Sequence, residues 1–269
     1  MTKRRLDMTM AERGLVASRS QAESYIRLGQ VKVNGHVADK AGLLVAETDD
    51  IQLSVAEQYV SRAALKLKSA AEAFHLDFVG KTVLDVGSST GGFTHYALTH
   101  GAGKVIAIDV GTDQLHPSLR TEPRIELHEK TDIRSVVLRH SEQSEESPGK
   151  MLRSAQHDGR EWTYIQDRPD IVVVDVSFIS LREILPHIAH LVTHDAMVVA
   201  MVKPQFEAAQ SNLKHKGVIK NDHMRRDILK EFEVWVKTYY NVVNKVDSAV
   251  AGSKGNLERF YLLRKVAGR

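Results

Sequence analysis

The sequence predicts an α/β protein, an open and mostly parallel doubly wound sheet preceded by a small α+β module. Three observations carry this. From Lys81 to Val110 (KTVLDVGSSTGGFTHYALTHGAGKVIAIDV) the chain reads strand, glycine-rich turn, helix, strand. Beyond it, short apolar runs alternate with helical patterns as far as Lys265, which makes six or seven strands. Ahead of it, residues 1–53 hold two short amphipathic helices and an Asn-Gly hairpin.

Composition narrows the chemistry. With 269 residues there is room for one ordinary α/β domain and a small accessory one. A hydrophobic share of 42% and a charged share of 26% are those of a soluble globular protein. The net charge of +3 is only mildly basic, so an argument for nucleic acid must rest on where the charges sit. There are no cysteines, which excludes disulfides, cysteine zinc sites and iron–sulfur clusters. The same absence excludes methyl transfer that needs a cysteine nucleophile or a radical cluster. The longest apolar runs, Ile171–Val176 and Ala196–Val202, are too short to span a bilayer, and MTKRRLDMTM has no signal-peptide core. A cytoplasmic protein with no membrane partner is expected.

In the N-terminal module, Leu6–Arg13 is expected as a helix closed by Gly14. A capping box at Ser20-Gln21-Ala22-Glu23 opens a second helix that ends at Gly29. Val31 to Val37 alternates around Asn34-Gly35, a tight hairpin. Residues 1–40 hold eight Lys/Arg against four acids, a local excess that can track a phosphate backbone or form a solvated face. Residues 54–60 are a linker. Ser61 is expected to cap the helix RAALKLKSAAEAF, with Leu65, Ala70 and Ala73 facing inward and Lys66 on a different side from Lys68.

The central unit comes next. After Val83, Leu84, Asp85 and Val86, the turn Gly87-Ser88-Ser89-Thr90-Gly91-Gly92 carries no bulky side chain, and Phe93–His100 is a helix. Glycines let a backbone approach a ligand closely. The second strand ends at Asp109, 24 positions after Asp85, where nucleotide-binding units keep the acid that accepts ribose hydroxyls. The pattern is G-x-x-x-G-G, with serines where a pyrophosphate would need glycine. S-adenosylmethionine, which has no phosphate, fits that turn, with contacts expected from Asp85, Gly87, Ser88, Ser89, Thr90, Gly91, Gly92, Phe93 and Asp109; a glycine-rich loop of some other α/β protein is the competing reading. Asp132, after a third strand at Arg124–His128, is placed to meet an adenine amino group or to cap a helix.

Residues 139–168 read as a surface insertion between a helix and the fourth strand, poorly ordered through Gly149. Its His140 and His157 lack metal-ligand companions, so no metal is expected. A buried strand from Ile171 to Ile179 carries Asp175, and another, Ala196–Val202, leads to Lys203. Leu181–Leu191 and Asn221–Tyr239 are helices, and Asn241–Val250 and Phe260–Lys265 are the last strands. A lysine buried at a strand end is costly without a purpose, which points to a cleft role for Lys203.

Two resemblances follow. RLD, SRSQAESYIRLGQVKVNG and the later run at Gly42–Val45 resemble the S4 RNA-binding domain, over Arg5 to Leu53. That implies RNA contacts from Arg4, Arg5, Arg19, Arg27 and Lys32. YVSRAALKL, DVGSSTGGFT, VVVDVSFISL, MVKPQFEA and KGNLE, in this order behind such a module, resemble the TlyA (haemolysin-A-like) ribosomal RNA methyltransferases, a branch of the FtsJ-type ribose 2′-O-methyltransferases. The resemblance departs at Ala63-Ala64, where relatives often have glycines. It implies an S4 domain (1–53), a linker and a Rossmann-like S-adenosylmethionine-dependent methyltransferase domain (61–269), acting as a monomer on ribosomal RNA or a ribosomal subunit. It also implies a tetrad of Lys66, Asp175, Lys203 and Glu258. In that scheme Lys203 is the general base for a ribose hydroxyl, Lys66 the neighbouring cation, and Asp175 and Glu258 the groups that orient them. The short segments before the module and after Glu258 resemble the TlyA variant that modifies large-subunit RNA alone. Other readings are a non-catalytic assembly factor and a haemolysin. A base N-methyltransferase would carry NPPY where this chain has DVSF.

Overall fold

A computed structural model describes residues 3–16, 18–27, 29–54, 59–139, 162–208, 217–219, 221–250, 252 and 255–267. Apart from Arg139, the segment read as poorly ordered lies outside the described residues, as do His140 and His157.

The N-terminal module folds as expected in kind. Strand β1 (Arg4–Arg5) leads into α1 (Leu6–Glu12), and α2 (Arg19–Arg27) packs against it. Leu6 and Met10, four apart on one face of α1, are buried with Tyr25 and Ile26 of α2. The capping box is corrected. Helix α2 begins one residue before Ser20, and Ser18 Oγ accepts the Gln21 N–H at 3.2 Å instead. Strand β2 (Val31–Val33) turns at Asn34-Gly35 into β3 (His36–Val37) and pairs on its other side with β5 (Ile51–Leu53). β4 (Leu44–Val45) pairs back onto β1.

Helix α3 (Ala63–Phe74) follows the linker, of which residues 55–58 lie outside the described positions. Ser61 does not cap it, since the N-cap residue is Arg62 and the Ser61 hydroxyl is buried without a hydrogen bond. Ala73 is exposed, and Ala64, Leu67, Ala71 and Phe74 complete the inward face beside Leu65 and Ala70.

The catalytic sheet has seven strands. They are β6 (Thr82–Val86), β7 (Lys104–Ile108), β8 (Ile125–His128), β11 (Ile171–Val174), β12 (Met197–Val202), β13 (Tyr240–Asp247) and β14 (Arg259–Lys265). Their order is β13-β14-β12-β11-β6-β7-β8, with β14 antiparallel to both its neighbours and the rest parallel. The strand at Ile171 is shorter than expected and stops at Val174, so Val176–Ile179 form a loop. A separate parallel pair, β9 (Val136–Leu138) with β10 (Thr163–Ile165), narrows the insertion, whose expected bounds had taken in β10. A 3-10 turn (Ile133–Ser135) and β9 stand where a helix was expected before it.

Side chains alternate across the sheet. Val83, Val105, Ile171 and Val173 face α3 and α4 (Gly92–Thr99), within an apolar cluster that continues through Tyr59 to Leu6 and Tyr25 of the first module. Leu84, Val86, Val172 and Val174 face the opposite layer, α6 (Leu181–Leu191) and α8 (Asp222–Val236). The two short helices not yet named are α5 (Pro117–Arg120) and α7 (Pro204–Glu207). Strand order reverses between β6 and β11, and a ligand crevice is expected at the carboxyl ends of those two strands.

Candidate active site

The glycine turn leaves the end of β6 at that reversal point. Gly87 has φ +83°, and a Cβ there would come within 2.6 Å of the Asp175 carbonyl oxygen, so only glycine lets the ends of β6 and β11 meet. At Gly92 a Cβ would collide with Ser61 Oγ and come within 2.8 Å of the Ala63 Cβ. This glycine is a packing contact with the start of α3.

Beside the turn lies a cleft of about 310 Å³, lined by Gly87, Ser89, Asp109, Gln114, Asp132, Asp175 and Phe178 among others. A smaller hollow of about 160 Å³ continues from it and is lined by Ala63, Ser88, Thr90, Phe93, Ser177 and Lys203. The Asp109 carboxylate accepts the Ser89 N–H through Oδ2 and the Gly111 N–H through Oδ1, each at 2.7 Å. Those bonds fix it at the cleft wall and leave lone pairs for a diol. Asp132 caps the 3-10 turn through the Arg134 N–H at 2.9 Å and pairs with the Arg134 guanidinium at 2.6 Å, while still lining the cleft.

Asp85, Gly91 and Gly92, read as cofactor contacts from the sequence, do not line the cleft. Asp85 is fully buried beneath it. Its Oδ2 accepts the Thr94 hydroxyl at 2.6 Å, its Oδ1 has no partner, and burial pushes the carboxyl up to about 7. Gly91 instead gives room to the side chains of Leu115 and Leu119.

The four tetrad positions meet in two ion pairs. Lys203 Nζ lies 2.6 Å from Asp175 Oδ1 and donates to Ser177 Oγ at 2.9 Å. Lys66 Nζ lies 2.6 Å from Glu258 Oε2. Lys66, Lys203 and Glu258 are all buried. The sheet couples the pairs: Val202 is in register with Arg259, so in this antiparallel ladder Lys203 and Glu258 occupy neighbouring positions just past it. The cation expected next to Lys203 is therefore not its nearest charged partner. Each amine is matched by a carboxylate, the compensation that buried charge requires.

Phe178 went unnoticed in the sequence. Its ring is 91% exposed at the cleft mouth, its φ is +66°, and it lies 5.3 Å from the ring of Phe206, over which the Lys203 amine sits at 6.0 Å. A bulky residue in left-handed backbone is uncommon and concentrates at functional sites. Among the described residues no group of acids and histidines could hold a metal ion, and no helix is long and apolar enough to cross a membrane.

On the N-terminal module, Arg5 grips the fully buried Asp7 through Nε and Nη2 at 3.0 and 2.9 Å, and Arg19 reaches it at 2.7 Å. Burial pushes the Asp7 carboxyl up, but these hydrogen bonds outweigh it and hold the group at about 2. Arg5 and Arg19 thus serve the fold while remaining 43% and 53% exposed. Arg4 pairs with Glu12 at 2.8 Å on the surface, and Lys32 is half-buried on β2. Arg27 lies in α2, with its side chain outside the described positions.

Two family models match the chain, the S4 domain over residues 4–51 and the FtsJ-like methyltransferase over residues 59–265. The 16S/23S rRNA (cytidine-2′-O)-methyltransferase TlyA of Mycobacterium tuberculosis is 34% identical over 98% of this chain and 91% of its own. The 23S rRNA (cytidine-2′-O)-methyltransferase TlyA of Campylobacter jejuni is 38% identical over 80% of this chain and 74% of its own. Hemolysin A of Brachyspira hyodysenteriae is 33% identical over 94% and 97%. The solved structure of a candidate hemolysin from Streptococcus thermophilus superposes with a TM-score of 0.64 at 31% identity, covering 99% of this chain and 90% of that one. With one model spanning the whole catalytic sheet and relatives matched nearly end to end, the chain belongs to the FtsJ-like methyltransferases that carry an N-terminal S4 domain, the TlyA group.

Proposed function

We propose that this protein transfers a methyl group from S-adenosylmethionine to the ribose 2′-hydroxyl of a cytidine in ribosomal RNA, that of the large subunit. The observation that supports the reading is the Lys203–Asp175 ion pair in the hollow beside the glycine turn, with the buried Lys66–Glu258 pair next to it across the sheet register. Cytidine and 23S RNA are common to the names of the mycobacterial and Campylobacter relatives.

The cleft suits the cofactor. The buried hydroxyl of Ser88, which lines the hollow at the glycine turn, lacks a partner, and an amino-acid carboxylate or amine can satisfy it. Asp109 is fixed to receive the ribose, and Asp132 stands on the adenine side of the same wall. S-adenosylmethionine supplies an electrophilic methyl on a sulfonium. The remaining work falls to the protein.

A ribose hydroxyl is a poor nucleophile until its proton is removed. With its own proton released to solvent, Lys203 Nζ would accept that proton as the hydroxyl oxygen takes up the methyl that the cofactor supplies. Asp175 and Ser177 aim the amine, and Asp175 stabilises the ammonium that forms. Lys66 of α3 and Glu258, just ahead of β14, hold each other beside that pair, and Phe178 with Phe206 offers a stacking face for the base. In-line positioning then supplies much of the rate. The S4 module holds the surrounding RNA through Arg4, Arg5, Arg19, Arg27 and Lys32.

The test is a map of 2′-O-methyls on ribosomal RNA from cells with and without the gene. One large-subunit cytidine is expected to lose its methyl, and identical maps would end the reading. In purified protein, Lys203→Ala is expected to abolish transfer with cofactor affinity nearly unchanged; parallel loss of both would make Lys203 structural. Tight S-adenosylmethionine binding separates the enzyme from a non-catalytic assembly factor.

A further inference from the structure

We propose that Glu207 is a positioning residue that sets the loop between Asp175 and Ser180 for catalysis, an inference that rests on the methyl-transfer reading above. Glu207 closes the short segment that begins with the base. Its own N–H bonds to the Lys203 carbonyl at 3.3 Å, and Phe206 N–H bonds to the same carbonyl at 2.9 Å. Its carboxylate is 1% exposed and is turned away from bulk water toward the neighbouring loop.

There it holds three groups. Glu207 Oε2 accepts the Ser180 hydroxyl at 2.6 Å, Oε1 accepts the Leu181 N–H at 2.8 Å, and Arg182 Nε stands 3.7 Å away. The five residues Lys203 to Glu207 therefore grip the six residues Asp175 to Ser180 at both ends. Lys203 takes Asp175 and Ser177 at one end, and Glu207 takes Ser180 at the other. Between the two grips stands Phe178 in left-handed backbone, and its ring meets Phe206 on the gripping segment. A bulky residue keeps such a conformation only where its flanks over-determine it.

Capping of helix α6 alone would not need this residue, because Ser180 Oγ already accepts the Arg182 N–H at 3.1 Å. Burial raises the Glu207 carboxyl above the usual range, so charge here is costly and geometry is what the site retains. Glutamine keeps the length and an acceptor for Leu181. Aspartate keeps the charge and is one carbon too short.

The experiment compares wild type with Glu207→Gln, Glu207→Asp and Glu207→Ala in the full chain. Three quantities are read: kcat on ribosomal RNA, the dissociation constant for S-adenosylmethionine, and amide hydrogen exchange of the 175–181 segment. The Gln variant is expected within threefold of wild type in all three. The Asp and Ala variants are expected to lose about tenfold or more in kcat, with a clearly smaller fall in cofactor affinity, since the loop lines the cleft, and faster exchange confined to 175–181. Full kcat and unchanged exchange in Asp and Ala would overturn the proposal. So would damage from Gln equal to that from Ala, or a matching fall in cofactor affinity and in global protection. A wild type silent on ribosomal RNA would count against the methyl-transfer reading alone, and the exchange comparison would still decide whether Glu207 holds the loop.

Discussion

Asp85 is a carboxyl that the fold keeps out of water. It shares the sheet face of Val83, under α4, and accepts the Thr94 hydroxyl. Burial pushes it up to about 7, and Asp175 and Asp109 push the same way. In the unfolded chain it ionises near 3.8. Below that value both states carry the proton, and nothing is lost. As pH rises from 3.8 toward 7 the unfolded state alone releases it, so stability falls by roughly 4 kcal/mol and stays lowered above 7. Asp85→Asn removes this dependence. Denaturant titrations at pH 5 and pH 8 are expected to show the variant gaining on wild type by a few kcal/mol across that interval, and parallel curves would show that Asp85 is already ionised at pH 5. The sequence marked Asp85 as a ligand contact because it stands beside the glycine turn. Alternation along β6 decides otherwise, since the even-numbered neighbours face α6 and Asp85 faces Thr94.

At the scale of elements, the junction of β6 and β11 has no room for a side chain. Gly87→Ala puts a Cβ into the Asp175 carbonyl at a φ that L residues avoid. It is expected to lower stability by about 2 kcal/mol in thermal melts and to weaken S-adenosylmethionine binding at least tenfold. Normal binding would mean that the strand ends part without disturbing the cleft. This unit was legible in the sequence because its cause is local: apolar runs of strand length, a glycine bend, and acids at fixed spacing. Other features depend on contacts that no local pattern encodes. Ser18 and Ser20 are equivalent candidates for a cap until α1 fixes where α2 begins. Strand β10 looks like insertion because its partner β9 stands on the far side of the Ser- and Glu-rich stretch of sequence. The left-handed backbone of Phe178 follows from grips at 175 and 180, far away along the chain at 203 and 207. The tetrad's membership came from family resemblance, and its division into Lys203–Asp175 and Lys66–Glu258 is a product of sheet register.

Across the whole molecule, the basic module and the catalytic sheet share one apolar cluster that includes Tyr59. Arg4 and Lys32 touch none of the tetrad or cleft residues. Arg4→Ala and Lys32→Ala are each expected to weaken binding to a ribosomal RNA fragment and to reduce the slope of log affinity against log salt by about 1. Cofactor affinity should be untouched. An unchanged slope would mean that these side chains meet no phosphate.

One feature of the topology bears on when the site is completed. Glu258 enters beside Lys203 because β14 slots in antiparallel next to β12. During synthesis the glycine bend, Asp175 and Lys203 all emerge first, and the partner of Lys66 is translated last of the four. The second ion pair therefore closes only once β14, the last strand of the sheet in chain order, has been added beside β12.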